Sequence, residues 1–233
     1  DKINMQESLK VELTNDMACI FDLDGVLVDT AVYHFKAWKQ LANSMGFDFT
    51  EAQNEQLKGV NRMRSLDMIL AWGGVEKTLT EKEALATTKN DWYVAMINKM
   101  TAAELLPGTL SLLEDLQAAG IKIALGSASK NSGIILDRTN LRHYFDAIVD
   151  GNLVSASKPD PEVFVKGAEL LGVSPASCLV FEDAQAGVEA AIAGNMKVVG
   201  VGEEENLKGA DSYVKDLSQI SVTEIKALIK GEY

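Results

Sequence analysis

Short apolar runs, each bounded by polar residues or glycine, recur along the chain. Met17-Ala-Cys-Ile-Phe21 is the first; Ile121-Lys-Ile-Ala-Leu-Gly126, Ala147-Ile-Val149, Cys178-Leu-Val-Phe181 and Val198-Val-Gly-Val201 follow. Runs this short and this rich in β-branched residues predict buried strands. Helical patterns fall between them, at about 109–119, 131–140, 161–171 and 185–194. Pro107-Gly108, Pro159 and Pro161 stand at helix starts, where a fixed φ suits a first turn. Strand alternating with helix predicts an α/β fold, a doubly wound parallel sheet with a Rossmann-like core.

Residues 32–101 break this rhythm and read as helices without a strand. Phe35, Trp38, Leu41, Ala42 and Met45 share one helical face; Met63, Leu66, Ile69 and Leu70 make a second stripe; Trp92, Met96, Ile97 and Met100 make a third. Such stripes are core packing rather than cofactor contacts. The reading is a helical domain, 32–101, inserted after the first strand of a core made of 17–31 and 102–233. Its two connections, near Thr30-Ala31 and Thr101–Leu106, would lie side by side as a hinge. Residues 1–16 carry no clear amphipathic pattern and are read as an N-terminal extension without an assigned function.

Composition narrows the function classes. At 233 residues and 47% hydrophobic, the chain can bury a full core, and 4 prolines and 18 glycines argue against low complexity. A net charge of −12 disfavours nucleic acid, although a local basic cluster could still bind an anionic substrate. No run approaches the roughly 20 apolar residues of a membrane helix, and the polar start is no secretory signal. Cys19 and Cys178 fall inside expected strands and read as small hydrophobes in a reducing cytosol. The expectation is a cytoplasmic monomer that binds neither nucleic acid nor membrane.

The chemistry gathers at strand ends. Asp22 and Asp24 follow the first strand, Gly25 allows a sharp turn after them, and two like charges held together need a cation or a shared proton. Ser127-Ala-Ser-Lys-Asn131 follows Leu125-Gly126 and opens a helix. Lys158 precedes the helix near Pro161, and Glu182-Asp183 follow Val180-Phe181. In a parallel sheet these four clusters converge on one edge. Asp22, Asp24, Glu182 and Asp183 are a hard oxygen set suited to Mg²⁺. Ser127 and the amides opening the next helix can donate to phosphate oxygens, and Lys158 adds a compact positive charge. Together they describe a phosphoryl-transfer site, with Asp22 as nucleophile and Asp24 as acid and base.

Asp22-Leu-Asp-Gly-Val-Leu-Val-Asp-Thr30, Ser127, Lys158 and Glu182-Asp183 resemble the four motifs of the haloacid dehalogenase superfamily, from about Met17 to the C-terminus. The resemblance implies that fold, phospho-aspartate chemistry, and a helical cap inserted after the first motif. Thr30-Ala-Val-Tyr-His-Phe-Lys-Ala-Trp38, Gln56-Leu-Lys-Gly-Val-Asn-Arg62 with Ser65, and Lys89-Asn-Asp91 resemble the superfamily's hexose phosphomutases. That implies interconversion of β-glucose 1-phosphate and glucose 6-phosphate through β-glucose 1,6-bisphosphate, so the partners are a hexose phosphate and a hexose bisphosphate. It further implies that Arg62 grips the phosphate not in transfer, and that Thr30 and His34 couple closure to proton transfer at the hinge. Arg62 is a planar fork suited to phosphate, with Lys58, Ser65 and Lys89 around it. Gly59 and Val60 would give close backbone approach; Ala128, Ser129, Lys130 and Asn131 would bind substrate beside Ser127. Where many members have serine after the acidic pair, this chain has Ala184, one hydroxyl fewer near the metal. His143 reads as structural. A sugar-phosphate phosphatase and a non-catalytic sugar-phosphate sensor remain as alternatives; a phosphonatase finds no lysine distinctively placed for a Schiff base.

Overall fold

The computed structural model describes residues 16–232, so all of the N-terminal segment except Asp16 lies outside the described residues. The strands are β1 (Ala18–Phe21), β2 (Lys122–Gly126), β3 (Ala147–Val149), β4 (Cys178–Glu182), β5 (Lys197–Val201) and β6 (Ser212–Val214). Among the described residues they form one all-parallel sheet in the order β3-β2-β1-β4-β5-β6. The chain winds outward from β1 to β3, then returns to lay β4 on the other side of β1. That reversal opens a crevice beyond the carboxyl ends of β1 and β4, the place where such sheets bind ligands. Phe21 is in register with both Leu125 and Phe181, so Asp22 and Glu182 emerge side by side.

Side chains alternate across the sheet. Cys19, Phe21, Leu125 and Phe181 enter one core, beneath α5 (Thr109–Ala118), α6 (Ser132–Arg138) and α9 (Val222–Lys230). Ala18, Ile20, Ala124 and Val180 enter the other, beneath α7 (Glu162–Leu171) and α8 (Gln185–Ala193). Cys19 and Cys178 thus sit buried on opposite faces, and burial pushes both thiols up. β6 and α9 were not among the expected elements. β6 is a three-residue edge strand that starts on a serine, and so lacks the apolar run by which a central strand is recognised.

Between β1 and α5 stand α1 (Ala31–Ser44), α2 (Glu51–Gln56), α3 (Arg62–Gly73) and α4 (Leu79–Ile97). The first two apolar stripes pack together as expected: Trp38, Leu41, Ala42, Leu66, Ile69 and Leu70 form a core separate from those of the sheet. The third stripe is divided, with Trp92 packed against both this core and the one under α5. Ile97 and Met100, with Tyr93, belong to the core under α5, whereas Ala86 on the same helix belongs to the helical core. A helix buried from two sides has no single apolar face, which is why α4 shows no clean stripe. The two connections run side by side: Val28 bridges Leu105, Leu106 N donates to Leu27 O at 2.9 Å, and Tyr33 hydroxyl donates to Glu104. Among the described residues, no helix is long and apolar enough to cross a membrane.

Candidate active site

Local backbone geometry presents the first carboxylates. Leu23 O accepts from the amides of Val26, Leu27 and Val28, and Gly25 N donates to Val28 O at 2.7 Å, closing a tight turn directly after β1. Gly25 has φ +78°, and a Cβ there would stand 1.9 Å from Asp183 Oδ2. Glycine therefore serves both the turn and the approach of Asp183. Glu182 is equally confined, since a Cβ on Gly187 would meet its carboxyl carbon at 1.9 Å.

One oxygen from each of Asp22, Glu182 and Asp183 falls within a 4.8 Å cluster. Burial, followed by the charge of Asp22, lifts the Glu182 carboxyl well above its usual range and raises Asp183 to about 7. Lys158 lies among them, its Nζ 2.8 Å from Glu182 Oε2, 3.3 Å from Asp22 Oδ1 and 3.2 Å from Gly126 O. Its pKa is raised: burial alone would lower it, but Asp22 and Glu182 outweigh burial. Asp24, expected among the metal-facing groups, does not join the trio. Its Oδ1 accepts from Thr30 Oγ1, and burial lifts its pKa to about 6 against the lowering effect of that hydrogen bond. A carboxyl held there exchanges protons close to neutrality, as an acid–base group requires.

Ser127 continues the sheet edge, with its amide on Val149 O at 3.0 Å and its hydroxyl accepting from Ser129 N. Ser129 hydroxyl accepts from Asn131 N. Two of the amides expected to meet phosphate are thus already taken. Those of Ala128 and Lys130 have no partner among the described residues.

The helical block supplies the opposite wall. Asn61 caps α3 by accepting from Arg64 N at 2.9 Å, which sets half-buried Arg62 at the first position of the helix. Lys89, expected beside Arg62, is 3% exposed, with Nζ 2.8 Å from His34 Nδ1 and 4.5 and 4.7 Å from the ring centroids of Trp38 and Tyr93. His34 stacks on Tyr93 at 4.1 Å. Burial, helped by Arg62, pulls Lys89 down to about 7, and burial with Lys89 and Arg62 holds His34 well below its ordinary value. Ser65 hydroxyl donates to Val60 O. Lys58 departs from the expected cluster and forms an ion pair with Asp183 Oδ2 at 3.1 Å. Ala184 lies next to this contact, 3.5 Å from where a Cβ on Gly59 would sit.

All the site residues named from sequence line one cavity of about 870 Å³, roomy enough for a hexose carrying two phosphates. Asn90 was missed: its Oδ1 accepts from Asn131 Nδ2 at 2.8 Å, joining α4 to the sheet edge. It stood inside the Lys89-Asn-Asp91 run without being named as a site residue, and that run was the only local signal. Trp38 was legible only as core and Tyr93 fell in none of the stripes, because an apolar pattern does not reveal that a lysine lies over a ring.

The Lys89 environment carries a stability prediction. Its folded pKa of about 7 lies below its ordinary 10.5, so between those values the unfolded chain binds more protons and stability rises with pH. The penalty is fully present below pH 7 and absent above 10.5. Lys89→Met should therefore raise the melting temperature at pH 6 and much less at pH 10, by about 2–4 °C per kcal/mol recovered. Calorimetry at both pH values checks this; equal shifts would contradict it.

A buried carboxylate trio with an interleaved lysine, at the switch point of a parallel sheet and under a helical block, defines a phosphoryl-transfer class of haloacid dehalogenase-like architecture. The chain belongs to the haloacid dehalogenase-like hydrolase family, whose model matches residues 19–201. It is similar to the β-phosphoglucomutase of Bacillus subtilis (strain 168), at 44% identity over 207 residues, which is 88% of this chain and 92% of that protein. The crystal structure of a β-phosphoglucomutase from Clostridium difficile matches with a TM-score of 0.87 at 42% identity, covering 93% of this chain and 98% of that one. A phosphorylated carbohydrates phosphatase of Thermotoga maritima is 36% identical over 190 residues, 79% of this chain and 84% of that protein.

Proposed function

We propose that the chain is a β-phosphoglucomutase, with a catalytic core of residues 17–31 and 102–233 and a cap of residues 32–101. One observation carries the reading: a single cavity holds Asp22 and Lys158 on the sheet edge and Arg62 with Lys89 on the helical block. A bisphosphate intermediate that turns end for end needs two phosphate sites facing each other. A simple phosphatase needs one.

Asp22 attacks the phosphorus of a hexose phosphate; the bond from phosphorus to the sugar oxygen breaks, and Asp24 delivers its proton to that oxygen. In the return step a sugar hydroxyl attacks phospho-Asp22, its proton passes to Asp24, and the Asp22 carboxylate is restored. Entering as β-glucose 1-phosphate on the phosphoenzyme, the sugar becomes β-glucose 1,6-bisphosphate, reverses, and leaves as glucose 6-phosphate. Thr30 orients Asp24 through its hydroxyl. Lys158 and Ser127, with the free amides of Ala128 and Lys130, bind the phosphoryl oxygens. Arg62, Ser65 and Lys89 take the distal phosphate.

The donor set fits Mg²⁺: Asp22, Glu182 and Asp183 offer hard oxygens only, and the Lys58 ammonium already stands on one of them as a cation would. When bound, the ion neutralises charge on the phosphoryl group in transfer. The cap excludes water, which would otherwise hydrolyse phospho-Asp22.

The test is a coupled assay with β-glucose 1-phosphate, Mg²⁺ and catalytic bisphosphate, following glucose 6-phosphate and free phosphate together. Glucose 6-phosphate with little free phosphate is expected. Dominant phosphate release would replace the mutase with a phosphatase, and binding without turnover would leave a sensor.

A further inference from the structure

Lys58 belongs to the loop between α2 and α3, yet its ammonium reaches across the cavity to Asp183 on the sheet edge. The two ends of the contact differ in kind. The lysine side chain is 48% exposed, a flexible donor on a loop, whereas the Asp183 side chain is 5% exposed and confined against Gly25. On another stretch of the rim, Asn90 accepts from Asn131 across the same cleft. These polar contacts tie the helical block to the sheet edge, and only the first lands on a member of the carboxylate trio.

We propose that Lys58 is an intramolecular competitor for the cation, so that metal entry at the trio releases Lys58 from Asp183 and unties this part of the cap. The proposal rests on the Mg²⁺ reading above. Lys58 Nζ is 3.1 Å from Asp183 Oδ2, and Mg²⁺ takes oxygen ligands at about 2.0–2.1 Å, so both on one oxygen would stand within roughly 5 Å of each other. Like charges that close in a poorly hydrated site repel strongly. Each cation also answers the same need, since Lys158 pairs with Asp22 and Glu182 but not with Asp183, the third carboxyl of the trio. Without metal the ammonium balances the acidic edge and holds the loop down. With metal bound, the freed Lys58 is a mobile compact cation at the cavity mouth, positioned to meet an incoming phosphate. Metal loading and substrate admission are thereby linked through one side chain.

Isothermal titration of the full chain with Mg²⁺ at pH 8, without any sugar phosphate, tests the competition. Lys58→Met should bind Mg²⁺ at least about tenfold more tightly than the wild type, while Lys58→Arg, which keeps the charge, should stay within about threefold of it. Hydrogen exchange of residues 57–61 gives a second readout: Mg²⁺ should speed exchange in the wild type and leave the already faster Lys58→Met unchanged. Equal Mg²⁺ affinity in wild type and Lys58→Met would overturn the competition. Equal tightening in the arginine variant would also overturn it, by tracing the effect to lost packing rather than charge. Wild-type exchange that ignores Mg²⁺ would overturn the release. Absence of Mg²⁺ binding to every variant would remove the metal reading, and this proposal with it.

Discussion

Asp22→Asn is expected to lower both glucose 6-phosphate formation and phosphate release by on the order of 10⁴-fold or more, the scale seen when a covalent nucleophile is removed. The substitution changes little else. Asparagine keeps the shape of the side chain and its carbonyl oxygen can still accept from Leu23 N, a bond of 2.9 Å in the structure. What it loses is the negative oxygen that must bond to phosphorus, together with the charge that pairs with Lys158 at 3.3 Å. Mass analysis after brief exposure to a phosphoryl donor should find one added phosphoryl group on the wild type and none on the variant. Substantial residual turnover in a folded Asp22→Asn protein would end the phospho-aspartate assignment, whichever reaction the enzyme runs.

Arg62→Ala is expected to separate mutase from phosphatase chemistry. The guanidinium stands at the first position of α3, in the wall opposite Asp22, near Lys89 and His34. Charge-assisted hydrogen bonds contribute about 1.5–3 kcal/mol each, so losing a two-pronged grip on phosphate should cost the mutase reaction roughly 10²–10⁴-fold in kcat/KM. A small aryl phosphate has no second phosphate to hold there, and its hydrolysis should change by less than about threefold. Arg62→Lys should recover only part of the loss, because a point charge cannot reproduce the planar fork. Equal losses on both substrates would argue that Arg62 acts on the site as a whole rather than on a distal phosphate.

How much of this was legible without coordinates differs by residue. β1, β2, β4 and β5 were recognisable because a central strand buried on both faces must be apolar over most of its length, as Ala18–Phe21 and Cys178–Phe181 are. An edge strand is under no such constraint: β3 was recognised because Ala147–Val149 is apolar all the same, and β6 escaped because Ser212–Val214 is not. Four helices stand where helices without a strand were expected, but α4 divides its burial between two cores and so hides its direction. The third stripe was readable as buried, and not as belonging to the core beneath α5.

The site divides along the same line. The sequence by itself determined the strand-end chemistry: Asp22 and Asp24 after β1, Ser127 after β2, and Glu182 and Asp183 at the end of β4. Each depends only on where an apolar run stops, and the parallel order of the strands then brings those ends together. The tertiary structure alone decided which partner each charge takes. Asp24 turns to Thr30 and leaves the trio, Lys89 withdraws beneath His34 between two aromatic rings, and Lys58 leaves the Arg62 neighbourhood for Asp183. A charged side chain settles where desolvation and Coulomb attraction balance, and that balance depends on groups remote in sequence. Periodicity and motif spacing carry no record of them.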